Sequence, residues 1–210
     1  MLRCFQRRTW VSFLVSGRGL LFASVAKAIQ SGKIRAKIGA LITDNRNAGA
    51  LDWAHVLGIP AYFVDPALYE DQEGHEKEII RLLKEYASGL IVTAGYLRLL
   101  TPFFVRSFRN RIINIHPSLL PSFPGLGSQE RAIEYGVRIS GCTAHFIDGG
   151  VDTGPIIKQV AIPVRQDDTG LTLSTKIHQE ERRILIDVVK LYCDGRLRVV
   201  GRRVTVSGLS

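Results

Sequence analysis

Short apolar runs alternate with helix-like segments through the first half of the chain, and that rhythm restricts the fold more than any other feature. "WVSFLVSG" (Trp10 to Gly17) reads as a buried strand ending in glycine, and "LLFASVAKAIQSGK" as a helix closed by Gly32. "AKIGALITD" is a second strand, "NAGALDWAHVLGIP" a helix stopped by Gly58 and Pro60, and "AYFV" a short strand. "QEGHEKEIIRLLKEYA" spaces its apolar residues for a helix, and "GLIVTAGY" and "RIINIH" are further strands. Such an order implies a parallel sheet with helices on both faces and ligands beyond the C-terminal ends of its strands. After Gly127 the rhythm changes. "SQERAIEYG" is helical, "GCTAHFI" and "GPIIKQVAIPV" are strand-like, "TLSTKIHQEERRILIDVVKLYCDG" is a long helix, and "RLRVVGRRVTV" is a terminal hairpin or strand pair. The expected fold is α/β: a single-domain, Rossmann-like, mostly parallel sheet with helices on both faces and an antiparallel C-terminal part.

A chain of 210 residues is long enough for one domain with a real core. No apolar run approaches the roughly 20 residues that span a bilayer, so no membrane role is expected. The start, "MLRCFQRRTW", is basic without the apolar stretch of a secretory signal. Residues 1–9 therefore read as a basic N-terminal extension, either a frayed terminus or part of an organelle-targeting segment, ahead of a domain over 10–210. Cys4, Cys142 and Cys193 are odd in number and far apart, which argues against a disulfide framework or zinc site and for a reducing, cytoplasmic setting. The net charge of +9 points to acidic partners. No aromatic residues interleave with the basic ones as in a nucleic-acid stacking platform. Small anions are the expected ligands, with a solvated basic face as the alternative. Oligomeric state leaves no signature.

Three stretches carry candidate chemistry. "SGRG" (Ser16 to Gly19) follows a strand and opens a helix, where backbone N–H groups attract phosphates; an ordinary tight turn fits equally. Asp44, ending the second strand, is either a turn residue or the ribose-binding acid of a nicotinamide site, although Phe22 stands where that fingerprint wants a third glycine. Asn114 and His116, two apart on a strand, point to one face, and Pro117 holds His116 extended. A His transfers protons near neutral pH, and an Asn amide donates to a developing oxyanion; a purely structural pair is the alternative. "HFIDGGVDTGP" (His145 to Pro155) places Asp148 and Asp152 in a glycine-rich loop that Asx turns also explain. The spacing of His116, His145, Asp148 and Asp152 matches no compact metal motif, and no metal is expected. A G-x-S-x-G elbow is absent, and no Cys is placed against a His as a nucleophile.

Taken together, "NIHPSLLPSFPGL" and "GCTAHFIDGGVDTGPII" resemble the 10-formyltetrahydrofolate-dependent formyltransferases. "FPGL", "GCTAHF" and "QEERRILIDVVKLYCDGRL" are most similar to the branch that formylates glycinamide ribonucleotide, and the likeness runs from Trp10 through "AGYLRLLTPFFV" to the late helix. The tRNA-directed branch shares Ser-Leu-Leu-Pro but carries a further C-terminal domain. The resemblance implies an enzyme of de novo purine biosynthesis with 10-formyltetrahydrofolate as co-substrate. It implies Asn114, His116 and Asp152 as the catalytic set. Leu97, Arg98, Leu99, Leu100 and the Asp148, Gly149, Gly150, Val151 backbone would border the folate. Gly17, Arg18, Gly19, Leu20 and Glu181 would meet a phosphorylated ribosyl amine.

Four departures qualify that reading. The family's phosphate loop usually reads Gly-x-Gly-Ser-Asn; here Leu20 and Leu21 remove a hydroxyl and an amide. Gln72 replaces an Arg, Gly127 a His, and Glu180–Glu181–Arg182 stands for Gln-Glu-His. Formyl transfer to another amine, or folate or nucleotide binding without catalysis, are the alternatives these changes leave open.

Overall fold

The computed structural model describes residues 8–208. Strands β1 (Thr9–Leu14), β2 (Ala36–Thr43), β3 (Ala61–Phe63), β4 (Leu90–Thr93) and β5 (Ile112–His116) are parallel. β6 (Ile139–Phe146) runs antiparallel to β5, and β7 (Ile156–Pro163) antiparallel to β6. β8 (Leu197–Val200) and β9 (Arg203–Val206) form the terminal hairpin, with β9 beside β7. The spatial order is β3-β2-β1-β4-β5-β6-β7-β9-β8. Helices α1 (Leu20–Gln30), α2 (Ala50–Val56), α3 (Gln72–Glu85), α4 (Pro102–Ser107), α5 (Ser128–Tyr135) and α6 (Gly170–Cys193) cover the sheet. The expected mostly parallel sheet with an antiparallel C-terminal part is what forms. Residues 1–7 of the expected N-terminal extension lie outside the described residues, while Thr9 already pairs with Ala36 in the sheet.

Strand periodicity divides the core in two. Val11, Phe13, Val15, Leu90, Val92, Ile113 and Ile115 face α1, α2 and α6, whereas Leu14, Ile42, Ile91 and Ile112 face α3 and α4. Asn114 and His116 share parity with Ile112. They therefore continue the α3–α4 face past the point where apolar packing ends. Helix α4 is not anticipated from the sequence, because six residues are too few to display a period. Its signals are its cap: Thr101 Oγ1 accepts from the Phe104 N–H at 3.3 Å, and Pro102 follows.

Gly19 is required by geometry. It takes φ 73°, and a Cβ there would lie 2.6 Å from the Cα of Ala50 in α2. Gly19→Ala is expected to destabilise the protein by roughly 2–4 kcal/mol through left-handed strain and overpacking. Thermal unfolding checks this; an unchanged Tm would show that α1 and α2 can separate freely.

Candidate active site

β1 lies between β2 and β4, so the connections leaving β1 and β4 diverge, and the crevice beyond their ends is where an open α/β sheet binds ligands. A cavity of about 660 Å³ opens there. Leu97, Arg98, Leu99 and Leu100, on the loop after β4, line one side, and Asp148, Gly149, Gly150 and Val151 the other. Asn114, His116 and Asp152 stand in the same wall. The structure thus brings the expected folate-contacting segments and the expected catalytic set to one place. Arg98 lines the cavity, and its Nε is buried with no partner among the described residues.

Asp152 is the hub. Its Oδ2 lies 3.2 Å from His116 Nδ1 and accepts from the Gly125 N–H at 2.8 Å, while its Oδ1 lies 3.5 Å from His145 Nε2. The other nitrogen of His116, Nε2, donates to the Phe123 carbonyl at 2.9 Å. Oxygen atoms thus face both ring nitrogens of His116, the Asp152 carboxylate at Nδ1 and the Phe123 carbonyl at Nε2.

Asn114 is held with its amide defined. The Thr93 hydroxyl donates to Asn114 Oδ1 at 3.0 Å, so Nδ2 is the atom that faces the carboxylate. Nδ2 lies 3.2 Å from His145 Nε2 and 3.4 Å from Asp152 Oδ1. Those two atoms are only 3.5 Å apart and lie on the same side of the amide. His145 Nδ1 donates to the Phe146 carbonyl at 2.9 Å, which turns Nε2 toward Asp152 Oδ1 and the Asn114 amide.

Burial pushes the Asp152 carboxyl up. Hydrogen bonds from His145 and the Gly125 N–H, with the nearby charges of His116 and His145, outweigh it and hold the group down at about 2. Asp152 is therefore an anion at any physiological pH. Asp148 plays no part in this cluster: its Oδ1 accepts from the Gly150 N–H at 3.1 Å and the Thr153 hydroxyl at 2.6 Å, closing its own loop.

A smaller cavity of about 150 Å³ adjoins the first at Gly95. Gly17, Arg18, Gly19, Leu20 and Leu21 line it, together with His178 and Arg182 of α6. A side chain at Gly17 would meet no protein atom within 4 Å, so the fold does not demand that glycine; open approach to the backbone does. Glu181, expected to contact substrate, is 2 % exposed and stands behind this wall, with Oε2 accepting from His178 Nδ1 at 2.5 Å. Asp44 accepts from the Ser16 hydroxyl at 2.6 Å, and Ser16 Oγ in turn accepts from the Leu97 N–H at 3.0 Å. That network ties the first loop to the folate-side loop and commits Asp44 to a structural role in place of a nicotinamide ribose.

A model of the formyl transferase family matches residues 10–189. The chain belongs to that family. Glycinamide ribonucleotide transformylase 1 from Symbiobacterium toebii has 39% identical sequence and a TM-score of 0.93 over 95% of this chain and 94% of that one. The phosphoribosylglycinamide formyltransferase of Bacillus subtilis (strain 168) is 36% identical over 83% of this chain and 90% of its own length. A trifunctional purine biosynthetic protein of Drosophila pseudoobscura pseudoobscura is 39% identical, and the chain spans only 14% of it.

Gln72 is not among the residues lining the cavity. Its amide donates to the Leu99 carbonyl and to Glu76 Oε1, bracing the loop after β4. Glu76 is buried and also accepts from the Thr101 N–H at 2.8 Å. Gly127 caps α5 at φ 67° and lines the large cavity, so Asp152 takes its imidazole partners from His116 and His145 alone. His145 is the partner least visible beforehand. It sits directly opposite Asn114 in the β5–β6 register, and only that pairing brings it to the amide. Cys142 and Cys193 are unpaired, and burial pushes both thiols up to about 12, which removes them as nucleophiles.

Proposed function

We propose that this formyl transferase moves the formyl group of 10-formyltetrahydrofolate onto the primary amine of glycinamide ribonucleotide, within purine biosynthesis. The observation that carries the reading is the meeting of Asn114, His116 and Asp152 in the wall of a large, mainly apolar cavity that adjoins a small basic one at Gly95. Folate fills the larger cavity, with its acidic tail toward Arg98. The ribonucleotide enters the smaller one, with its phosphate at the Gly17–Gly19 backbone.

The neutral amine attacks the formyl carbon, and the carbonyl oxygen gains charge as the carbon turns tetrahedral. The Asn114 amide and the positive charge of His116 stabilise that oxyanion, in the manner of preorganised donors. Asp152, anionic throughout, keeps His116 in its charged form. Collapse breaks the bond to folate N10; the attacking amine gives up a proton and N10 receives one. Direct delivery from His116 Nε2 requires the Phe123 carbonyl to turn aside.

Domain boundaries at 10–210 and a cytoplasmic setting complete the proposal, supported by the unpaired cysteines; among the described residues no helix is long and apolar enough to cross a membrane. Leu20 and Leu21 in the phosphate loop favour one competing reading, transfer to an amine without a phosphate. Mixing the protein with 10-formyltetrahydrofolate and glycinamide ribonucleotide, and following folate absorbance, separates the two. Turnover with the ribonucleotide is expected; turnover only with unphosphorylated amines would overturn the assignment.

A further inference from the structure

Leu20 and Leu21 offer only carbon side chains to the small cavity, and Arg18 is the one donor side chain its loop presents. The remaining polar side chains come from the opposite wall. On α6, His178 stands three residues before Glu181 and four before Arg182, so it neighbours both along the helix surface. Position 181 falls within the apolar stripe of Leu173, Ile177, Ile184, Leu185 and Val188, a place a carboxylate occupies only with a partner. That partner is His178, whose Nδ1 meets Glu181 Oε2 and whose Nε2 is thereby left over. Arg182 and Arg18 form no ion pair among the described residues, while the neighbouring Glu180 and Arg183 pair with each other. No acidic side chain lines the cavity. Two arginines and a histidine thus border a space of about 150 Å³ that glycine backbone also lines.

We propose that Arg182, with His178 held in place by Glu181, supplies the side-chain grip on the substrate's phosphomonoester that Leu20 and Leu21 do not provide. The inference deepens the functional reading above and rests on its placement of the ribonucleotide. An Arg offers planar, paired donors to phosphate oxygens that neither Leu20 nor Leu21 can offer. Specificity for a phosphorylated amine then resides on α6 in this chain.

The test compares wild type with Arg182→Ala, using glycinamide ribonucleotide and its dephosphorylated riboside. Arg182 is exposed, so the substitution leaves the core untouched. Loss of a charge-assisted phosphate contact is expected to raise KM for the ribonucleotide by ~10–100-fold, with kcat little changed. Turnover of the riboside should be unaffected, and Arg182→Lys should recover part of the loss. A KM within twofold of wild type, or an equal loss with both substrates, would overturn the proposal. Inorganic phosphate gives a readout independent of turnover: it should raise the Tm of the wild type and not of Arg182→Ala. If wild type binds phosphate in that manner yet never formylates the ribonucleotide, the substrate reading fails and the grip stands. A Tm shift equal in both proteins would overturn the grip alone.

Discussion

Replacing His116 by Ala should lower kcat by ~10³-fold or more while folate still binds within a few-fold of wild type. The ring is 6 % exposed and spans from Asp152 to the Phe123 carbonyl in the wall of the large cavity. Removing it deletes the charge that meets the oxyanion and leaves Asp152 as an anion with one imidazole fewer. Most of the folate wall comes from the loops after β4 and β6, which do not depend on this ring. Steady-state kinetics with a separate folate-binding titration distinguishes the effects. A variant with near-normal kcat would remove His116 from the chemistry, and one that loses folate and turnover together would make it a structural residue.

Asp152→Asn should be nearly as damaging, with kcat down ~10²–10⁴-fold, although it changes no side-chain volume. An amide still accepts from the Gly125 N–H, yet it supplies no charge to keep His116 in its cationic form. The same substitution has a signature in stability. The Asp152 carboxyl is lowered from 3.8 to about 2, so its anion favours the folded state wherever the unfolded chain would also be ionised. That contribution, on the order of 2 kcal/mol, is fully present above about pH 4 and is lost as pH falls toward 2. The stability gap between wild type and Asp152→Asn should therefore narrow through that acid window. A gap independent of pH from 2 to 7 would show that Asp152 is not held by the two imidazoles and the Gly125 N–H.

Much of this site is legible in the sequence because it rests on periodicity. Asn114 and His116 are two apart, so one strand puts both on one face, and the shared parity with Ile112 carries them to the end of the α3–α4 core. The loop glycines and the alternation of elements locate the crevice for the same reason. What stayed hidden depends on tertiary pairing. His145 meets Asn114 only through the antiparallel register of β5 and β6, which no local pattern encodes. Glu181 fits a helical stripe, but its turning inward to His178, and the appearance of Arg182 in its place in the wall, follow from the roll of α6 against the sheet. Phe123, at φ 51° and with its carbonyl on His116, belongs to a proline-rich loop whose path a short window does not determine. Gln72 illustrates a further limit. A residue change that reads as a lost ligand contact turns out to brace Leu99.

The most direct measurement is a double-mutant cycle between His116→Ala and Asp152→Asn, read as kcat under saturating folate and ribonucleotide. If the carboxylate works only by sustaining the imidazolium, the double variant should be no slower than the worse single one. Losses that multiply would mean the two side chains contribute separately, and the coupled arrangement proposed for formyl transfer would be wrong.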